Sequence, residues 1–125
     1  HLTSAHANAI GPSIKYMPEW KAFGWFTTAD EAEWNVNVDK AGKYEVYLKY
    51  SVSDSEAGKS FVFESGKRKL RGKVNKTGSW FTYAREKIGV INLSAGVQKM
   101  VFKSNSASDK GAMLDLADVT LILVK

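Results

Sequence analysis

The residues with the most chemistry to offer in this chain are aromatic. Four Trp, five Tyr and six Phe stand among 125 residues. Of these, Tyr16, Trp20, Phe23, Trp25, Trp80 and Tyr83 fall in or beside turn-rich stretches rather than inside strand-like runs. An aromatic ring offers an electron-rich face, and a contact with it contributes about 0.5–1.5 kcal/mol beyond the area buried. One face of a pyranose ring presents polarised C–H groups to such a ring, while its hydroxyls seek Asn, Asp, Lys or backbone partners. These rings suit sugar recognition, and they suit equally the plugging of an open end of a core. A second set is cationic. In "GKRKLRGKV", alternation puts Lys67, Lys69, Arg71 and Lys73 on one face and Arg68, Leu70, Gly72 and Val74 on the other. Four like charges in a row are unfavourable unless solvated or matched by anions. The strip therefore reads either as an anion-binding face or as lysines that blunt an exposed sheet edge.

Catalytic constellations are missing from the sequence. His1 and His6 are the only histidines, and there is no Gly-x-Ser-x-Gly elbow, His-Glu-x-x-His pair or phosphate-cradling glycine loop. The carboxylates are scattered; the densest group, Asp30, Glu31 and Glu33, reads as solvated. The absence of cysteine removes disulfides, thiolate nucleophiles and zinc clusters together. These features point to a binding protein, not an enzyme, with no cofactor. The formal charge of +5 and pI near 9.4 favour a polyanionic partner, or serve solubility alone. Nucleic acid would share that electrostatic footprint, and no nucleic-acid-binding signature accompanies it.

The elements that must position these residues are strands. "EWNVNVD" alternates Trp34, Val36 and Val38 against polar neighbours, and "KYEVYLKYS" does the same with Tyr44, Val46, Leu48 and Tyr50. With "DKAG" between them, the two runs predict a β-hairpin. Further runs follow at short spacing, "KSFVFES", "RKLRGKV", "EKIGVINL", "VQKMVFKS" and "MLDLADVTLILVK", separated by Gly, Ser, Asn and Asp turns. The fold class is all-β, a sandwich of two antiparallel sheets. Trp34, Tyr44, Phe61 or Phe63, and Phe102 sit in these runs and are assigned to the core. "GPSIKYMPEWKAFGWF" holds both prolines, Pro12 and Pro18, and shows no clean period, which predicts a long ordered loop. No apolar run approaches the roughly 20 residues of a membrane span, so no membrane partner is expected. The length suits one domain, residues 1–125. The chain opens at His1 without Met or a leader, as expected of a module cut from a longer protein.

The order of several motifs adds to this reading. "GWFTTADEAEWNVNVDKAGKYEVYLKYSV", "GKVNKTGSWFTY", "GVINLSAGVQKMVFKS" and "GAMLDLADVTLILV" together resemble carbohydrate-binding modules of the family 6 type, over roughly residues 24–125. The resemblance implies a jelly-roll sandwich that binds glycans without catalysis and is appended to a secreted, bacterial polysaccharide-degrading enzyme. It also implies a cleft in the loops at one end, where two aromatics flank a sugar and a polar residue bonds its hydroxyls. Carried onto this chain, the walls are Trp25 and Trp80, the polar loop offers Asn105, Asp109 and Lys110, and Tyr16 and Trp20 replace or extend a wall. Family members hold a structural Ca²⁺ through an opening Glu-Ala-Glu stretch, which here reads "SAHANA". Since Ca²⁺ prefers several carboxylate oxygens, no firm metal site is expected, and Asp115 and Asp118 remain as the calcium candidates.

The partners expected are thus a polysaccharide or oligosaccharide, of acidic or sulfated type given the basic balance, and a covalently linked catalytic domain. The protein is expected to be a monomer, secreted or at the cell surface. The competing expectation is a structural sandwich that packs against a catalytic domain and binds no sugar. By alternation Trp80 and Phe81 point to opposite faces, and the resemblance makes Trp80 the exposed one.

Overall fold

The structure is a computed structural model. It describes residues 2–3, 7–11, 14–19, 21–53, 55, 57–80, 82–105 and 112–124, with the backbone alone at Leu2, Thr3, Trp25 and Ala112. Among the described residues eleven strands form, and no helix is long and apolar enough to cross a membrane. They are β1 (Leu2–Thr3), β2 (Asn8–Ile10), β3 (Lys15–Met17), β4 (Ala22–Thr27), β5 (Glu31–Val38), β6 (Gly42–Ser51), β7 (Ser60–Ser65), β8 (Arg68–Lys73), β9 (Ala84–Leu93), β10 (Gly96–Ser104) and β11 (Ala112–Leu123). One sheet has the order β3-β4-β11-β6-β9, with β1 also on β11; the other runs β2-β5-β10-β7-β8. Every pairing is antiparallel. The two-sheet, all-β architecture read from the sequence is the one observed.

Alternation sets which side chains meet between the sheets. On β5, Ala32, Trp34 and Val38 are buried, and on β6 Val46, Leu48 and Tyr50 are. Phe102 from the five-stranded sheet meets Phe26 from the six-stranded one edge to face, with centroids 5.9 Å apart. It also lies 5.2 Å from Phe61 on its own sheet. Phe61, Phe63 and Trp34 are all buried, and Tyr44 packs half-buried against them, as the alternation predicted.

Two local expectations do not hold. β5 and β6 are not a hairpin: β5 pairs with β2 and β10, β6 with β9 and β11. Residues 39–41 instead carry the chain from one sheet to the other. Alternation reports which face is buried, and two strands facing each other across a core carry the same pattern as two strands side by side. Nor is the stretch around Pro18 a long loop. Lys15–Met17 and Ala22–Thr27 pair as an antiparallel hairpin, closed by a turn in which Lys21 N–H donates to the Pro18 carbonyl at 3.3 Å. Pro18 sits in the turn, where its missing N–H costs no ladder bond. Phe23, read as a turn aromatic, is 1% exposed in the core.

The strand directions decide where the connections gather. β2, β4, β6, β8 and β10 all end at one end of the sandwich, and at that end the chain crosses to the other sheet each time before β3, β5, β7, β9 and β11. The turns after β3 and β7, and the crossings after β5 and β9, lie at the opposite end. Five crossings at one end give the jelly-roll arrangement and a single face built from loops, called the loop end below.

Candidate functional site

The loop end is braced by side chains that bond backbone. Asp30, 2% exposed, accepts from Thr27 N–H at 2.9 Å and from its hydroxyl at 2.8 Å. The sequence read Asp30 as solvated; its burial follows from this turn, since its carboxylate replaces backbone partners the turn lacks. Gly11, with φ of 133°, passes so close that a Cβ there would collide with the Asp30 carboxylate. The neighbouring Glu31 and Glu33 lie on the outer face of the five-stranded sheet, where Glu33 pairs with Lys99 at 3.2 Å. Burial, then a hydrogen bond with Glu33, raises the Glu31 pKa.

The segment from 74 to 83 is the most heavily tied. Thr77 Oγ1 accepts from Val52 N–H at 3.0 Å and stands 3.1 Å from the Val52 carbonyl. Asn75 N–H donates to the Tyr50 phenol at 3.0 Å, and Ser51 Oγ donates to the Trp80 carbonyl at 2.8 Å. A turn closes on Thr82 N–H to Ser79 O at 3.2 Å. Trp80 is therefore in a turn and not in a strand, so alternation does not govern it; β9 begins only at Ala84. It is half-buried, packed against the rim of the core, rather than fully exposed. Phe81 lies outside the described residues.

Beneath this segment lies a polar cluster that sequence reasoning did not assemble. Asp115 pairs with Ser51 across β11 and β6, on the face opposite buried Leu116 and Tyr50. Ser51 is fully buried. Burial pushes the Asp115 carboxyl up to about 6. It also raises the Tyr83 phenol, with a Ser51 hydrogen bond acting against that rise and the Asp115 charge adding to it. The available signal was a carboxylate inside the apolar run "MLDLADVTLILV"; alternation cannot say that Ser51 and Tyr83 would meet it.

The structure brings some of the expected site residues together and separates others. The Trp25 backbone lies on β4 between Gly24 and Phe26, and β4 stands two strands from β6, whose Ser51 holds Trp80. Two strand steps are ~10 Å. Asn105 is exposed at the same end, its N–H bonded to Ser60 O at 3.0 Å. Tyr16, 38% exposed, stands edge-on to Phe23 at 6.2 Å on the far edge strand β3. Three strand steps, ~14 Å, separate β3 from β6, whose Ser51 holds the Trp80 carbonyl, so Tyr16 stands one strand further from Trp80 than the Trp25 backbone does. Trp20, Asp109 and Lys110 lie outside the described residues; the described residues Pro18, Glu19 and Lys21 are at the end opposite the loop end. As for calcium, no three His, Cys, Asp or Glu side chains gather to hold a metal among the described residues. Asp118 is tied to Thr120 Oγ1 at 3.2 Å, and Ser4–His6 lie outside the described residues.

A jelly-roll sandwich with its crossings gathered into one loop-built, aromatic-bearing end defines a class of binding domain. The chain belongs to the carbohydrate binding module family 6, whose family model matches residues 7–122. The resemblance stated from the motifs is thereby confirmed. Solved structures show the same fold. A family 35 carbohydrate binding module from Clostridium thermocellum superposes with a TM-score of 0.75 at 15% identity, covering 95% of this chain and 93% of that one. A module of the Cellvibrio mixtus lichenase 5A, in complex with cellotriose, gives 0.76 at 18% identity, covering 99% and 96%. An exo-β-1,3-galactanase from Phanerochaete chrysosporium, with β-1,3-galactotriose, gives 0.75 at 18%, covering 96% of this chain and 28% of the enzyme. No curated protein sequence matches the chain.

Proposed function

We propose that this domain is a non-catalytic glycan-binding module that holds an attached polysaccharide-degrading enzyme on its substrate outside the cell, with acidic or sulfated polysaccharide as the preferred ligand. Family membership supports sugar binding, and the observation that carries the site is the tethering of Trp80. The Trp80 backbone is held by Ser51 at its carbonyl, in a segment that Thr77 ties to Val52, and its side chain packs half-buried on the core, so part of the ordering cost of this platform is met by the fold before ligand arrives. Asn105 at the same end supplies a hydroxyl partner. Catalysis is left to the attached domain.

A glycan array and affinity electrophoresis of the domain, run beside Trp80→Ala, test this. Retardation of the wild type by at least one polysaccharide, lost in the variant while its circular dichroism shows that it remains folded, supports the reading. A wild type that no polysaccharide retards would overturn it, and equal binding by the variant would overturn the Trp80 assignment alone. The structural alternative has one observation in its favour: Val90 and Ile122 flank Glu45 on the outer face of the six-stranded sheet and are exposed, an apolar surface on which a catalytic domain could pack.

A further inference from the structure

The positive charge of this chain is not spread over its surface. Five of the 18 Lys and Arg residues lie between 67 and 73 with no carboxylate among them, and the other 13 are matched in number by the 13 Asp and Glu. The whole excess of +5 is therefore concentrated in one turn and the edge strand that follows it. A general solubility charge would have no reason to gather there.

The structure places this strand, β8, at the margin of the five-stranded sheet. Leu70 faces inward and packs on β9, where a Cβ at Gly89 would meet its Cδ2 at 3.1 Å, so the inner face of β8 closes the side of the sandwich. Lys69, Arg71 and Lys73 are all exposed, on the opposite, outer face. By register Arg71 and Lys103 flank Val62 from either side, and Val62, although it faces outward, is only 4% exposed, as expected if the alkyl stems of its neighbours cover it. Glu64 is shared by Lys103 at 3.2 Å and Lys69 at 3.7 Å, and Glu31 lies opposite Lys103 in register. Arg71 and Lys73 have no carboxylate partner among the described residues. Lysines that only protected an edge would not require an arginine set among them with the carboxylate already taken.

Successive outward residues of a strand are ~6.7 Å apart. The row rises from Lys67 at the β7–β8 turn to Lys73 and exposed Lys76, where the segment that carries Trp80 begins. We propose that the outer face of β8 is a second glycan-binding surface, a rail on which a linear polysaccharide bearing carboxylates or sulfates lies as it runs to the loop end. This rests on the glycan-binding reading above and gives its acidic preference a location. The stretch 67–73 contains no aromatic residue, so it lacks the stacking platform on which single-stranded nucleic acid depends. Attraction of this kind is long-ranged and screened by salt, over about 8–10 Å at moderate ionic strength.

The test uses the domain with Lys69→Ser, Arg71→Ser and Lys73→Ser combined, all at exposed positions, against polygalacturonate, a sulfated galactan, a neutral β-glucan and duplex DNA. The expected result is that the triple variant keeps its thermal midpoint and any neutral-glycan binding. It should lose about tenfold or more in affinity for the acidic polymer, with the wild-type advantage vanishing near 1 M salt, as screening requires. Preference between polygalacturonate and the galactan identifies carboxylate or sulfate as the anion. Acidic-glycan binding as tight in the triple variant as in the wild type overturns the proposal, and so does tighter capture of DNA than of either acidic glycan. Neutral-glycan binding with no gain for acidic polymers sinks the rail alone, whereas no glycan binding at all sinks the parent reading with it.

Discussion

At the loop end, polar groups are sunk and bonded: Ser51 is buried and tied to the Trp80 carbonyl, Thr77 reaches into the Val52 backbone, and Asp115 is held where burial favours its neutral form. Along β8 the cations stand in water, and Arg71 and Lys73 have no carboxylate partner among the described residues. The two regions meet near Lys73 and Val74, yet they offer a ligand different things. The first offers fixed geometry at short range and little net charge. The second offers charge at long range and little geometry. A polymer attracted by one and seated by the other would gain encounter rate from β8 and orientation from the loops.

Both regions depend on one core, and the largest expected effect removes them together. Phe102→Ala deletes a fully buried ring that joins the sheets through Phe26, at a cost of about 3–5 kcal/mol. Urea denaturation should show it, and a loss under about 1 kcal/mol would mean the sheets are joined elsewhere. Next comes the geometry of the loop end. Thr77→Val keeps shape but removes the hydroxyl that bonds Val52, leaving a part-buried N–H unmet at about 1–3 kcal/mol. Glycan affinity should fall with stability while the salt dependence stays as in the wild type. A change in the salt dependence would show that the two regions are not separable.

The smallest effect is one of pH. The Asp115 carboxyl, ordinarily near 3.8, is raised to about 6 in the folded chain. Between these values the native state keeps a proton that the unfolded chain has released. The contribution of this group to stability therefore declines as pH rises from about 3.8 to about 6, and stays unfavourable above that. Asp115→Asn should leave the thermal midpoint nearly unchanged at pH 4. At pH 7 it should stabilise the domain on the order of 1 kcal/mol, solvent screening at a partly exposed carboxyl being allowed for. The same difference at both pH values would place the cause elsewhere.

Much of the fold was legible because it depends on alternation. Trp34, Val46, Leu48 and Phe102 were assigned to the core from period 2 alone, and the strand runs after residue 59 correspond to β7 through β11. The outward face of Lys69, Arg71 and Lys73 was legible for the same reason. The hairpin between β5 and β6 was misread, and so was the β3–β4 pair around Pro18, because partner choice is not a local property. Of the candidate site, the resemblance names Trp25, Trp80 and Asn105 as expected ligand contacts. It does not name Ser51, Tyr83 and Asp115, which lie 32 and 64 residues apart in sequence from Ser51 onward and become one cluster only when β6 and β11 pair in register.

The sequence by itself determined the all-β class, which faces of the strands are buried, the family and the concentration of charge at 67–73, since each of these is written in neighbouring residues. Only the tertiary structure decided that Tyr16 stands three strands, ~14 Å, from the strand that holds Trp80, that Trp80 is half-buried on a tied turn, and that Asp115 lies across from Ser51. Those depend on strand order and register, which are chosen by the sum of contacts across the whole core rather than by any one segment.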